Sequence, residues 1–311
     1  MKKRIAAAFM VVAVAAAFAG LVAVAQQKSF TIVMPGTFAV SGKSKSQMQV
    51  FAEEITKALS QVAGAPIELQ TTNLAEEDYM KFAISNLVSK KIDVAGFSAD
   101  WYAGLSPQMR EKFPPLMGIM VNGKKNMNYC YYVRKSDNIK SIDQLRGKTF
   151  STYTYIDGRY LLYKAGIDEP LDKFFGKVVY NLGVAPEYMK ALVDKKIDTF
   201  DTWDFMVETA RSVDPKFKDI VPLACNEFGM NSFMIYRKDL DPAVIDKLRK
   251  AALNWKKDPR FSNVKMFFVA VKGDVFVPTE KDFQLSYDVD KLSTTRKWNE
   301  ERRAFLKKNG R

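Results

Sequence analysis

The apolar positions of this chain change period several times, and each change marks an element. The run from Phe30 to Met34, stopped by Pro35-Gly36, predicts a first strand. Met48, Phe51, Ile55, Leu59 and Val62 then recur at three- and four-residue spacing, one face of a helix that Gly64-Ala65-Pro66 ends. Ile67-Glu68-Leu69-Gln70 alternates as a second strand. The next helix opens near Asn73 with Glu76, Glu77 and Asp78 in its first turn, where acids complement the helix dipole. It buries Met80, Ala83, Leu87 and Val88 and hands over to a strand from Ile92 to Phe97. Strand, helix, strand, helix, strand predicts right-handed crossovers and a largely parallel sheet.

The same grammar then repeats. After a crossing segment from Gly118 to Asn126 comes a strand, Tyr129 to Val133. A short helix over Ser141 to Lys148 has Ser141 as its N-cap and Gly147 as its stop. A strand from Thr149 to Thr154, a helix from Gly158 to Lys164, a strand from Lys177 to Tyr180 and a helix from Pro186 to Lys196 rebuild the first pattern. One phrase is spoken twice: Tyr79-Met80-Lys81 leads to Lys90-Lys91-Ile92-Asp93, and Tyr188-Met189-Lys190 leads to Lys195-Lys196-Ile197-Asp198. Each copy reads as an amphipathic helix, a basic helix end and an apolar strand, followed by an acid and a tryptophan. Ile220 to Ala224 and Ser232 to Arg237 return the chain, and Asp241-Pro242 opens an amphipathic helix with Val244, Ile245, Leu248, Ala252 and Leu253, expected to pack on the first lobe. Two α/β lobes crossed twice by the chain make a hinge and a cleft.

The N-terminus changes the picture. Lys2-Lys3-Arg4, a long apolar run from Ile5 to Val24 and Ala23-Val24-Ala25 form an export signal with a small-x-small cleavage site. The expected division is a signal peptide over 1–25, the first part of lobe 1 over 26–125, lobe 2 over 126–236, and a return to lobe 1 with a basic tail over 237–311. Net charge is +13, with much of the basic charge between Arg296 and Arg311. Export argues against nucleic acid as partner, so the charge reads as a solvated surface that meets a membrane or an acidic partner. The two cysteines, Cys130 and Cys225, both fall in the second lobe, where an oxidising compartment permits a bridge if their Cα atoms approach within roughly 7 Å. The pairing is left open. The chain has no histidine, which excludes histidine-based triads and typical catalytic zinc sites.

Asp143-Gln144-Leu145-Arg146-Gly147-Lys148, Ala165-Gly166-Ile167, Asp198, the run Ser232 to Leu240 and the closing helix carry a resemblance. Together they resemble the phosphonate- and phosphite-binding periplasmic solute-binding proteins of ABC transporters, over roughly residues 30 to 260. The resemblance implies a two-lobed α/β fold of the type II periplasmic binding protein, each lobe a mostly parallel sheet flanked by helices, joined by two crossover strands. It also implies a periplasmic location, a small-molecule solute and a membrane permease as partners, and a monomer. Those relatives place hydroxyls at the start of the second-lobe helix. Here the corresponding residues are Tyr155-Ile156-Asp157-Gly158-Arg159; Gly158 persists, and Asp157 opposes an anion at close range.

In open α/β sheets, ligands bind beyond the carboxyl ends of the strands. Those ends place Thr37, Phe38, Ser98, Asp100, Trp101 and Tyr102 in the first lobe, and Tyr153, Tyr155, Asp157, Gly158, Arg159, Asp201, Trp203 and Asp204 in the second. Aromatic faces with nearby carboxylates suit a cationic or zwitterionic solute. An aminoalkylphosphonate would place its amine at the acids and its phosphonate at Arg159 and the helix start. Asp157 has a second reading, as the N-cap before Gly158. The expectation is capture and delivery of a solute without catalysis or cofactor; the alternative is an extracytoplasmic sensor or adaptor that signals by the same closure.

Overall fold

The computed structural model describes residues 29–308 apart from 36–46, 73, 75, 153, 181–184, 231–232, 263–264 and 266–271. The signal segment expected over 1–25 lies outside the described residues, as do Thr37, Phe38 and Tyr153.

The first lobe starts with β1 (Phe30–Pro35), α1 (Gln47–Ala63), β2 (Ile67–Thr72), α2 (Glu76–Val88), β3 (Val94–Phe97), α3 (Ala99–Ala103), α4 (Pro107–Lys112) and β4 (Pro115–Met120). The second holds β5 (Asn126–Arg134), β6 (Thr149–Thr152), α5 (Tyr155–Lys164), α6 (Leu171–Phe174), β7 (Lys177–Tyr180), α7 (Ala185–Val193), β8 (Thr199–Trp203), α8 (Asp204–Val213) and β9 (Ile220–Met230). The chain closes with β10 (Phe233–Tyr236), α9 (Pro242–Leu253), β11 (Asp274–Phe276), α10 (Gln284–Thr295) and α11 (Trp298–Lys308).

Six strands form one sheet in the order β11-β4-β10-β3-β1-β2, and five form the other in the order β7-β6-β8-β5-β9. The helix-linked strands β1, β2 and β3 pair in parallel, as do β6 with β7 and with β8. The strands that cross or return pair antiparallel, so each sheet is mixed. A parallel pair needs a crossover helix, which the crossing strands lack. Apolar residues cover both faces of each sheet. In the first lobe, Ile32, Leu59, Val62, Leu248 and Trp255 pack on one face, and Tyr79, Met80, Leu87 and Phe233 on the other.

Two boundaries move from the sequence expectation. β10 pairs with β3 and β4, so the chain has rejoined the first sheet by Phe233, four residues before 237. The tail expected with the first lobe contributes to the second: Trp298 and Phe305, two turns apart on the largely charged α11, are buried in the second-lobe core, and Leu306 packs against it. The third strand also starts later, at Val94, because Lys90 takes a left-handed conformation (φ 59°) and the Asp93 side chain is used elsewhere.

Within the second sheet Cys130 stands opposite Cys225, with Cα atoms 4.1 Å apart, and the two are disulfide-bonded. The link ties β5 to the edge strand β9.

The repeated phrase folds twice into one device. At each helix end a lysine turns left-handed, Lys90 at φ 59° and Lys195 at φ 57°. Each following aspartate then clasps the first parallel strand of its lobe. Thr31 N–H donates to Asp93 Oδ2 at 2.9 Å, and Thr149 N–H donates to Asp198 Oδ2 at 2.8 Å. An arginine from the end of a crossing or returning strand meets each acid, Arg237 at 2.7 Å from Asp93 and Arg134 at 3.4 Å from Asp198.

Candidate functional site

Strand ends and helix starts position the candidate residues. In the first lobe the chain leaves β3 at Ser98, the N-cap of α3, with Asp100 and Trp101 in that helix's first turn. Ser98 Oγ is buried without a hydrogen bond of full geometry among the described residues, although it lies near enough to Asp100 to lower its carboxyl. Burial nonetheless wins and holds that carboxyl above its ordinary 3.8, with the Arg302 guanidinium a weaker opposing influence. Trp101 is half-buried, and the Arg302 guanidinium carbon lies 5.8 Å from its ring centroid. Tyr102 turns the other way, into the core, with Phe233 and Phe283 rings at 5.3 and 4.8 Å. Burial pushes its phenol up to about 12. It is a packing residue.

In the second lobe α5 begins three residues earlier than the sequence suggests, at Tyr155, because Thr154 takes the N-cap position. Asp157 therefore sits inside the first turn and is not the cap. It is buried, as are Tyr155, Gly158 and Arg159. Gly158 is required by crowding: a Cβ there would stand 2.6 Å from Asp201 Oδ2 and 3.3 Å from the Phe150 ring. Arg159, expected to meet a phosphonate, is spent within the protein. Its Nε donates to Glu301 Oε2 at 2.9 Å, its NH2 group to Asp168 Oδ1 at 2.7 Å, and its guanidinium stacks over Trp298. A buried guanidinium with two carboxylate partners is compensated where it stands. Tyr155 packs on Phe305, and its hydroxyl donates to Glu301 at 3.4 Å.

Asp201 is fully buried in β8, where Oδ1 accepts from the Tyr129 hydroxyl at 3.4 Å and Oδ2 from the Thr152 hydroxyl at 3.1 Å. Its charge adds to burial in pushing the Tyr131 phenol well above its usual value. Trp203 ends β8 and packs edge-on against Tyr129 and Phe228 at 5.0 and 5.7 Å. Asp204 accepts from Asn128 Nδ2 at 2.9 Å.

The aromatic and acidic set thus divides. Tyr102 and Tyr155 belong to cores, Trp101 and Trp203 keep partial exposure, and Asp157 and Asp201 are buried. Sequence reasoning missed Thr154. Its hydroxyl is buried, caps no backbone N–H, and has no hydrogen-bond partner among the described residues. A threonine directly before a helix start was the available signal. Ser98 and Thr154 form a matched pair, each the N-cap of a helix that leaves a parallel strand, one per lobe.

Residues 38–282 match the family described as ABC transporter, phosphonate, periplasmic substrate-binding protein. Among solved structures, PhnD1 from Prochlorococcus marinus (MIT 9301) in complex with methylphosphonate superposes with a TM-score of 0.67 at 14% identity, covering 86% of this chain and 98% of that one. A Xanthomonas citri protein bound to ATP reaches a TM-score of 0.63 at 16% identity, covering 86% and 98%. A binding-protein component of an ABC phosphonate transporter from Pseudomonas aeruginosa reaches 0.61 at 12% identity, covering 90% and 100%. At these identities the superpositions establish the shared two-lobed fold. Among curated proteins, no sequence matches this chain.

Proposed function

The chain belongs to the family of periplasmic phosphonate-binding proteins of ABC transporters, and from that premise we propose that it captures a small zwitterionic phosphonate, an aminoalkylphosphonate, between its lobes. Members of the family bind a solute for a membrane permease and catalyse nothing, so recognition is the whole task of the site. The observation that carries this reading is the pair of buried hydroxyls at Ser98 and Thr154: Thr154 has no partner among the described residues, and Ser98 stands beside the Asp100 carboxyl without a well-aligned hydrogen bond to it. A buried hydroxyl left without a partner costs on the order of 1–3 kcal/mol, and a phosphonate oxygen is the kind of acceptor that recovers it. Helix starts on both sides add partial positive charge.

The carboxyls of Asp100, Asp157 and Asp201 stand within a turn of those hydroxyls or against the same helix. They would oppose a bare dianion and favour a solute that also carries an amine. Arg159 drops out of the proposed contacts because Asp168 and Glu301 already hold it. Trp101 and Trp203 remain candidates for the solute's apolar stem, since both keep exposed surface at strand exits.

Calorimetry of the mature chain with 2-aminoethylphosphonate, methylphosphonate, phosphite and choline tests this. The aminoalkylphosphonate should bind tightest, and Ser98→Ala and Thr154→Ala should each weaken it about tenfold, the worth of one hydrogen bond to a charged group. Binding of choline with no binding of any phosphonate would sink the proposal.

A further inference from the structure

We propose that α10 and α11 form a third connection between the lobes, and that Arg302 is the positioning residue that holds the first-lobe strand exit at Trp101 in place for solute capture. The family match ends at residue 282, so both helices lie beyond it. The segment spans the two cores. Phe283, just before α10, and Tyr287 within it pack with the first-lobe core, whereas Val289 and Leu292 of α10 pack with the second. α11 is rooted in the second lobe by buried Trp298 and Phe305, and by Glu301 on Arg159. Arg296, at the turn before α11, pairs with Asp168 at 2.5 Å, and Lys308 at its end pairs with Asp172 at 3.2 Å.

One residue beyond Glu301, Arg302 reaches the other lobe and lies over the Trp101 ring at 5.8 Å. The Asp100 carboxyl, next in the chain, feels the same positive charge. Adjacent residues of one helix therefore hold the first turns of α5 and α3, the two helices that Thr154 and Ser98 cap. Opening the lobes separates α3 from α11 and costs the cation its indole face. The contact favours the spacing described here and pre-organises the site, which lowers the ordering cost of binding. Only the binding arm of the test depends on the phosphonate reading.

The test compares Arg302→Ala, Arg302→Lys and, as a neighbouring control, Arg303→Ala in the mature chain. Small-angle scattering without solute reads the lobe spacing; calorimetry with 2-aminoethylphosphonate and methylphosphonate reads capture. Arg302→Ala should expand the solute-free chain and weaken the tighter-binding probe about tenfold, with solute-free melting close to the parent. Arg302→Lys should recover most of both effects, and Arg303→Ala should change neither. Unchanged scattering in Arg302→Ala overturns the proposal. So does a loss of affinity that tracks lowered melting and is not rescued by lysine. If neither probe binds the unaltered chain, the phosphonate reading fails while the scattering still decides the role of Arg302.

Discussion

The two lobes share a clasp and differ in everything that follows it. In both, a helix ends on a left-handed lysine, and an aspartate three residues on takes the backbone N–H of the lobe's neighbouring parallel strand. Beyond the clasp the copies part. The first lobe's acid and tryptophan, Asp100 and Trp101, ride on a five-residue helix that meets Arg302. In the second lobe Asp201 is still within the strand, bonded to Tyr129 and Thr152, and Trp203 leans on Phe228. The repeated residues encode scaffolding, which any copy of a βαβ unit needs. The residues after the repeat answer to neighbours that only one lobe possesses.

The disulfide offers the sharpest way to separate the lobes, because the described residues carry it in the second alone. Replacing Cys130 and Cys225 together by alanine frees a loop with a sequence separation of 95 residues. The loss should be about 4 kcal/mol. Hydrogen exchange in the native state should show that loss in β5 and β9 first; equal loosening of both sheets would mean that the lobes unfold as one unit.

Next in size is the clasp itself. Asp93→Ala should cost about 2–3 kcal/mol and Asp198→Ala about 1–2 kcal/mol by chemical denaturation. The first acid is the less exposed, 15% against 34%. Among the described residues its partner Arg237 otherwise has only Asp239 at 3.3 Å, whereas Arg134 keeps Asp137 at 2.8 Å and two carbonyls, Leu192 and Ile197. Equal costs would show that the neighbours of the arginines do not matter.

The Asp100 carboxyl supplies a pH test with a definite sign. Its folded value lies above 3.8, so the fold binds this proton more tightly than the unfolded chain does. Its contribution is complete below that ordinary value and is lost as pH climbs through the raised one. Asp100→Asn should flatten the corresponding fall in denaturation midpoint as pH rises above about 4. An unchanged slope would assign the decline to other groups, such as Asp290, which burial also raises.

Smallest are the left-handed lysines. Lys195→Gly should stabilise by about 0.5–1 kcal/mol, since glycine reaches positive φ without steric cost. Lys90→Gly should gain slightly less, because it gives up an exposed pair with Asp239 at 2.6 Å. A destabilising result at either position would mean that the lysine stem packs more than its exposure suggests.

Periodicity made the scaffold legible. The faces of α2 and α9, the strands that alternate with them, and the doubling of the lobes follow from where Met80, Ala83, Leu87, Val244, Ile245 and Leu248 fall along the chain, although Val88 and Leu253, expected on those faces at the helix ends, are exposed. Local chemistry is written in neighbouring residues, so the helix start at Asp241-Pro242 and the turn at Gly147 were readable as well. The site was readable only as a neighbourhood. Strand exits pointed to these loops, yet nothing local distinguished Tyr102, which is buried in a core, from Trp101, which packs half-buried at the edge of the same core. Nor could spacing reveal that Arg159 would be claimed by Glu301, 142 residues later, or that Cys130 would face Cys225 in register. The sequence alone determined which elements form and that they form two lobes, because helix and strand periods depend on residues a turn apart. The tertiary structure decided which side chains remain available to a solute, because burial and charge pairing depend on partners that are distant in the chain.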